Sequence, residues 1–126
     1  MPRRLIPIVA LILASATPAP AHQLDHSSKH GGIIAESGHH HLEVVAKDGT
    51  IEVHVAGEDG KPEDLTGAKA TAAILSEGKK IDVELAPNTS GVFSGAGEFK
   101  AGKGTIIIVT MTMADHKPEQ VRVKLD

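Results

Sequence analysis

Apolar and polar residues alternate on both sides of Asp48-Gly49, and this alternation constrains the fold more than any other feature of the chain. The segment before the pair reads 42-LEVVAK-47, and the segment after it reads 50-TIEVHVA-56. A period of two is typical of a strand with one buried face. Asp-Gly is a strong signal for a two-residue hairpin loop. The sequence therefore predicts an antiparallel β-hairpin over residues 42–56.

The loop also fixes the register of this hairpin. With Asp48-Gly49 as the loop, Leu42 faces Val55, and every directly opposed pair on that side is apolar. A shift by one residue would place apolar side chains on both faces, so this register is favoured. On the other face, Glu43 then lies directly across from His54. That polar face carries His39, His41, Glu43, Glu52 and His54.

The remainder of the chain repeats the pattern of short alternating segments separated by turn residues. Further strands are predicted at 68–75, 80–85, 91–94, 105–113 and 120–125. The segments between them contain Gly, Pro, Asn and Asp, which turns require. About seven short strands in roughly 95 residues predict an all-β fold, namely an antiparallel immunoglobulin-like β-sandwich. A small closed barrel is the alternative.

The N-terminus has the order of a cleaved secretory signal. Residues 1–21 contain two arginines, an apolar run over 5–14 and Ala-Pro-Ala at 19–21. The apolar run is shorter than the roughly 20 residues of a membrane span. We therefore predict export to a bacterial periplasm, followed by a flexible histidine-rich arm (22–32) and one β-sandwich domain (33–126).

Composition excludes several classes of function. Thirteen basic residues against sixteen acidic ones give a net charge of −3, and removal of the signal's two arginines leaves eleven against sixteen, or −5. That balance argues against nucleic acid and against an anionic membrane as partner. The chain has no cysteine, and no serine or threonine lies in a recognisable nucleophile motif. We therefore expect a protein that is not an enzyme.

Histidines are concentrated near the hairpin and just before it. Neighbouring positions on one face of a hairpin lie about 5–7 Å apart at Cβ, so imidazoles and a carboxylate there can converge on one ion. Imidazole suits copper, zinc and nickel, which leaves the ion open, with copper or zinc favoured. The predicted metal ligands are His22, His26, His30, His39, His41, Glu43 and His54.

Two histidines are left out of this site. In a regular strand His40 points to the opposite face from His41, and His116 lies in a turn-like segment, 114-ADHKPEQ-120. The pair Gly31-Gly32, in contrast, supports the site, because glycines permit a sharp turn from the arm into a strand near Ile33. Such a turn can bring His30 back beside His41.

Four short motifs occur in a recognisable order. They are 30-HGG-32, 41-HLEVV-45, 48-DG-49 and 59-DGKP-62. In this order the chain resembles a family of small periplasmic proteins associated with heavy-metal efflux and resistance systems, over residues 30–125. The resemblance implies a β-sandwich and a metal-handling context, and it supports His30, His41 and Glu43 as site residues. It implies no particular catalytic activity.

Two hypotheses of function follow. The first is a periplasmic accessory protein that binds a transition metal ion and buffers it or delivers it within an efflux or resistance system, with a periplasmic efflux adaptor protein as partner. The second is a non-catalytic structural or interaction module whose histidines are incidental. Metal binding that depends on the hairpin histidines distinguishes the two.

Overall fold

The computed structural model describes residues 28–126, so the predicted signal peptide, His22 and His26 lie outside the described residues. This part of the chain forms eight β-strands and no helix, which confirms the all-β prediction. The strands are β1 (Ile33–Ser37), β2 (His40–Lys47), β3 (Thr50–Ala56), β4 (Lys69–Ser76), β5 (Lys79–Pro87), β6 (Val92–Ala96), β7 (Ile106–Thr112) and β8 (Glu119–Lys124). Across residues 28–126, no helix is long and apolar enough to cross a membrane.

All eight strands belong to one antiparallel sheet. Its order is β1-β2-β3-β6-β5-β4-β7-β8. The two end strands, β1 and β8, lie close to each other, so the sheet curls round and nearly closes into a barrel. Alternation predicts about seven strands; the eighth, β1, is the five-residue strand (IIAES) that follows the Gly31-Gly32 turn at the place predicted near Ile33.

The β2–β3 hairpin has the predicted register. Leu42 is paired with Val55 and Glu43 with His54. Gly49 adopts a φ of 81°, the left-handed conformation that a tight hairpin loop requires and that glycine adopts without strain. Because the period of a strand is two, the loop and the apolar pattern together determine which side chains point inward.

Inward-facing side chains from both halves of the curled sheet form one apolar core. Val44 and Val53 on one half and Ile74 and Ile107 on the other are fully buried, as is Phe93. Complete burial of such a side chain stabilises a fold by about 1.5–3 kcal/mol. The core therefore holds the sheet together and leaves the outward residues free to differ between the two halves.

The outer surface of β4 and β7 is unusually apolar. We call it the isoleucine face; it is formed by Ala73, Leu75, Ile106 and Ile108. Leu75 is the one large hydrophobic residue classed as exposed among residues 28–126, at 37 %. Strand pairing places Lys80 and Asp82, whose charged groups are 3.7 Å apart, beside one edge of this face and Arg122 and Lys124 beside the other. Apolar residues at outward positions with a charged rim are typical of a contact surface.

Candidate functional site

The outer surface of β2 and β3, which we call the histidine face, forms part of the wall of a cavity of about 580 Å³. Glu43 and His54 lie opposite each other on this face. The cavity is lined by four of the seven predicted ligands, His30, His41, Glu43 and His54. The structure therefore brings these four together.

Glu43 is the most heavily hydrogen-bonded side chain of the cavity. Its carboxylate accepts hydrogen bonds from the Ser28 hydroxyl (2.8 Å), the backbone amides of Lys29 (3.1 Å), His30 (2.8 Å) and Gly32 (2.8 Å), and Nδ1 of His30 (3.0 Å). The sequence predicts an open polar position here, but Glu43 is only 6 % exposed. The reason is that residues 28–32 fold back over the hairpin and direct their donors at this carboxylate.

These hydrogen bonds determine the charge of Glu43. Burial alone would raise its pKa, but the Gly32 amide, the His30 ring, the Ser28 hydroxyl and the His30 amide together lower it from 4.5 to about 2. The carboxylate is therefore ionised at neutral pH and acts only as an acceptor, so Nδ1 of His30 must carry a hydrogen. The neutral His30 ring then has its lone pair on Nε2. A carboxylate that holds one ring nitrogen in this way is the usual arrangement behind a metal-bound histidine.

The glycine pair positions the arm against β2. Gly31 has a φ of 76°, in the left-handed region. A Cβ placed on Gly32 would lie 2.8 Å from a side-chain carbon of Val45 and 2.9 Å from the carbonyl carbon of Val44, which is too close for any side chain. This close approach is what brings the Gly32 amide onto Glu43. The predicted turn at Gly31-Gly32 is confirmed.

The imidazole rings of His30 and His54 are stacked. Their centroids are 3.8 Å apart and their planes differ by 8°. His54 also lies close to Glu52, with 3.3 Å between Nε2 and a carboxylate oxygen. Because nitrogen lone pairs lie in the ring plane, two nearly parallel rings do not direct them at one point. One ion can bind both residues only if a ring turns out of the stack.

His41 contributes a third imidazole from the same face. Its side chain is 22 % exposed, and its Nδ1 lies 3.4 Å from a carboxylate oxygen of Glu36 on β1. The register pairs His41 with Ala56, two residues beyond His54, so the two histidines are diagonal neighbours. Side chains in this relation are within reach of each other when they are long. His41 and His54 can therefore approach one ion from two adjacent strands.

His39 lies outside the cavity. Its side chain is 86 % exposed, and its Nδ1 is 2.7 Å from a carboxylate oxygen of Glu58. The hydrogen bond and the negative charge of Glu58 raise the pKa of His39 above its ordinary value of 6.5. His39 is thus separated from the three cavity histidines, although it belongs to the same predicted set. His116 is exposed in the turn before β8, as predicted.

The orientation of His40 agrees with the prediction, but its surroundings were not predicted. It shares the inward face of β2 with Leu42, and its side chain is 15 % exposed. Its Nδ1 is 2.9 Å from a carboxylate oxygen of Glu119, and its Nε2 is 3.8 Å from one of Glu63. Glu119 is 79 residues away along the chain, so no local sequence signal identifies this cluster.

In the part of the chain that the structure describes, no three or more His, Asp or Glu side chains are grouped so that they hold one metal ion together. His22 and His26 lie outside that part. No protein-family model matches the chain, and no curated protein or solved structure matches it. The side chains of the cavity therefore carry the functional inference.

Proposed function

We propose that this protein is a periplasmic accessory protein that binds a transition metal ion, copper, zinc or nickel, and buffers it or delivers it within an efflux or resistance system. The observation that carries the proposal is the Glu43–His30 pair at the wall of the cavity. Glu43 holds Nδ1 of His30 at 3.0 Å, which leaves Nε2 as a donor atom for an ion. His41 and His54 line the same cavity.

In this proposal the four cavity residues have two different roles. His30, His41 and His54 supply nitrogen ligands once the His30 or the His54 ring turns out of the stack, whereas Glu43 orients His30, because its oxygens already accept five hydrogen bonds. His22 and His26 belong to the part of the arm before residue 28 and are the further proposed donors, and His39 is a peripheral one. Imidazole ligands suit copper, zinc and nickel better than hard cations. Positions not filled by protein are open to water.

The cellular setting and the finer architecture belong to the same proposal. Export rests on residues 1–21, whose charged, apolar and Ala-Pro-Ala segments follow the order of a signal peptide. An efflux adaptor protein as partner rests on the resemblance of the four short motifs. We also propose that the curled sheet is immunoglobulin-like, with strands β1, β2, β3 and β6 facing β4, β5, β7 and β8 as in a sandwich.

The test is isothermal titration of Zn(II) and Cu(II) into the chain without residues 1–21, purified without an affinity tag. Replacing His41 and His54 together by Ala should weaken binding at least tenfold, because two nitrogen ligands are lost. The control replaces His116, which lies in an exposed turn outside the proposed donor set, and should leave affinity unchanged. Equal effects of the two variants would contradict a cavity site.

A truncation separates the cavity from the upstream histidines. Removal of residues 22–27 deletes His22 and His26 but keeps Ser28, Lys29 and His30, whose donors Glu43 requires. We expect the truncated chain to retain a stoichiometric site of reduced affinity. Complete loss of binding would assign all metal binding to the upstream segment.

A second function, a non-catalytic interaction module, is favoured by the isoleucine face. Its apolar side chains are flanked by the cations Arg122 and Lys124 on the β8 side and by the Lys80–Asp82 pair on the β5 side, although the whole chain is acidic. Such a surface fits a protein partner with an apolar centre and acidic groups that meet the β8 edge. If titration finds no binding that depends on His41 or His54, this second function replaces the first.

A further inference from the structure

His40 lies in a cluster that the proposed cavity site does not use. His40 is the first residue of β2 and Glu119 is the first residue of β8. Both lie on the inward face of their strands, at the end of the curled sheet. Glu63 approaches from the loop between β3 and β4. A Cβ on Gly38 would lie 2.8 Å from a carboxylate oxygen of Glu119, so a glycine in the β1–β2 turn makes room for this side chain. The cluster brings together three distant segments.

The two ring nitrogens of His40 have different environments. The Glu119 carboxylate, 2.9 Å from Nδ1, can only accept, so Nδ1 carries the hydrogen and the neutral ring has its lone pair on Nε2. Nε2 lies 3.8 Å from an oxygen of Glu63. The separation is too long for a hydrogen bond. Two acceptor atoms therefore lie close together, at a separation that a bridging cation can span.

A transition metal ion can span the gap. An ion bonded to both atoms at about 2.1 Å, the length usual for zinc with nitrogen or oxygen ligands, would make an N–metal–O angle of about 130°. The backbone of Glu63 is also fixed, since its amide donates to the Val55 carbonyl at 3.0 Å. The neighbouring Ala56 and Pro62 form an isolated β-bridge. The loop backbone that carries Glu63 is therefore held in place, with the carboxylate 3.8 Å from His40.

We propose that Nε2 of His40 and the carboxylate of Glu63 form a second transition-metal site, independent of the cavity, and that Glu119 is its positioning residue. The class of ligand is a Zn(II)-like divalent ion, with water in the remaining positions. Because His40 points inward and His41 points to the cavity, the two sites lie on opposite faces of β2.

The bound ion has a structural consequence. Its two ligands belong to β2 and to the β3–β4 loop, and Glu119 connects His40 to β8 across the gap between the sheet edges β1 and β8. Anything that binds the folded chain and not the unfolded chain stabilises the fold. Zn(II) at this site should therefore raise the melting temperature and hold the loop against the edge of the sheet.

The experiment uses a chain in which the cavity and the upstream segment are silenced. His22, His26, His30, His41 and His54 are replaced by Gln. We expect this chain to bind one Zn(II) by titration calorimetry and to melt at a higher temperature when Zn(II) is added. Adding His40→Gln should lower the affinity at least tenfold and abolish the rise in melting temperature, whereas adding His116→Gln should change neither.

Glu119 and Glu63 are tested by separate measurements. Glu119→Ala should weaken Zn(II) binding roughly 10–100-fold, as loss of an orienting carboxylate does. It should also shift the His40 tautomer from Nδ1–H toward Nε2–H, measured by ¹⁵N NMR without metal, which a purely structural role would leave unchanged. Glu63→Gln removes the carboxylate ligand of the proposed site. Because Glu63 is a partly exposed loop residue, this variant keeps the inference testable if His40→Gln fails to fold.

The outcomes separate this inference from the proposed function. If the silenced chain binds no Zn(II) while the unaltered chain does, the second site is wrong and the cavity site is supported. If silencing changes nothing and His40→Gln abolishes binding, the cavity site is wrong and the second site is supported. In the chain with all other histidines intact, His40→Gln should reduce the stoichiometry by one ion. An unchanged stoichiometry there would overturn the second site.

Discussion

The histidine face and the isoleucine face lie on the outside of the same curled sheet, but they are built from opposite kinds of side chain. On the histidine face, Glu43 and the histidines near it have hydrogen-bond or ring partners. On the isoleucine face, Leu75 lies opposite Ile106 with no polar group between them. Inward residues of the two halves are alike, since Val53 and Val109 are both buried. The comparison teaches that the inward pattern determines the fold, whereas the outward residues give each surface its own chemistry.

The largest expected effect tests whether inward positions of β7 contribute more to stability than outward positions on the isoleucine face. Ile107 is fully buried and its neighbour Ile108 is half-buried on the outside. Ile107→Ala should lower the free energy of unfolding by roughly 2–5 kcal/mol, because it leaves a cavity in the core. The same change at Ile108 should cost less than about 1 kcal/mol. Urea denaturation measures both, and equal losses would mean that the outer face is also core.

The next effect tests whether the histidine face depends on one carboxylate. A pKa lowered from 4.5 to about 2 corresponds to about 3 kcal/mol of stability at neutral pH. Glu43→Gln should lose about this amount in urea denaturation, since the charge that the donors stabilise is gone. Glu52→Gln, on the same face with a side chain 53 % exposed, is the control and should cost little. A similar loss of unfolding free energy in both variants would mean that Glu43 has no special role in stability.

The pH dependence of the same variant has a definite sign. The folded-state pKa of Glu43 is below its ordinary value, so its stabilising contribution is complete above about pH 4.5 and is lost as the pH falls toward 2. The difference in unfolding free energy between the unaltered chain and Glu43→Gln should therefore be constant near neutral pH and shrink below pH 4.5. A difference that grows on acidification would contradict the hydrogen-bonded carboxylate.

The smallest effect concerns His39, which lies beyond the edge of the histidine face. Glu58 raises the pKa of His39 above 6.5 through a hydrogen bond and its charge, so an NMR titration should give a midpoint above that value. Glu58→Gln should return the midpoint toward 6.5 and leave urea denaturation unchanged, because both side chains are exposed. A midpoint unaffected by Glu58→Gln would show that the pair does not persist in solution.

The sequence predicts the hairpin well because its signals are local. Asp48-Gly49 determines the loop, and the apolar residues at 42, 44, 46, 51, 53 and 55 allow one register only, which the strand pairing confirms. The strands after residue 68 agree with prediction to within one or two residues for the same reason. The curling of the sheet is not predictable in this way, because no short segment encodes the approach of β1 to β8.

The site is predicted less completely, because its key contacts join distant segments. Glu43 reads as an outward residue of a strand, and nothing in the strand shows that the arm will cover it. The alternation of side chains along β2 leaves His40 out of the predicted metal site. It does not reveal the carboxylate partners of His40, which come from the β3–β4 loop and from β8. Alternation predicts the direction in which a side chain points, but not what it meets there.

The tight contact at Gly32 has a consequence for substitutions in the glycine pair. Position 31 has open space around it, although its positive φ favours Gly, Asn or Asp. Position 32 admits no side chain, and its amide binds a carboxylate 11 residues later. We therefore expect relatives that keep this arm to carry Gly, Asn or Asp at position 31 and to share a spaced pair, glycine at 32 and an acid at 43. That pair, more than the histidine preceding it, is the pattern that the tight contact requires.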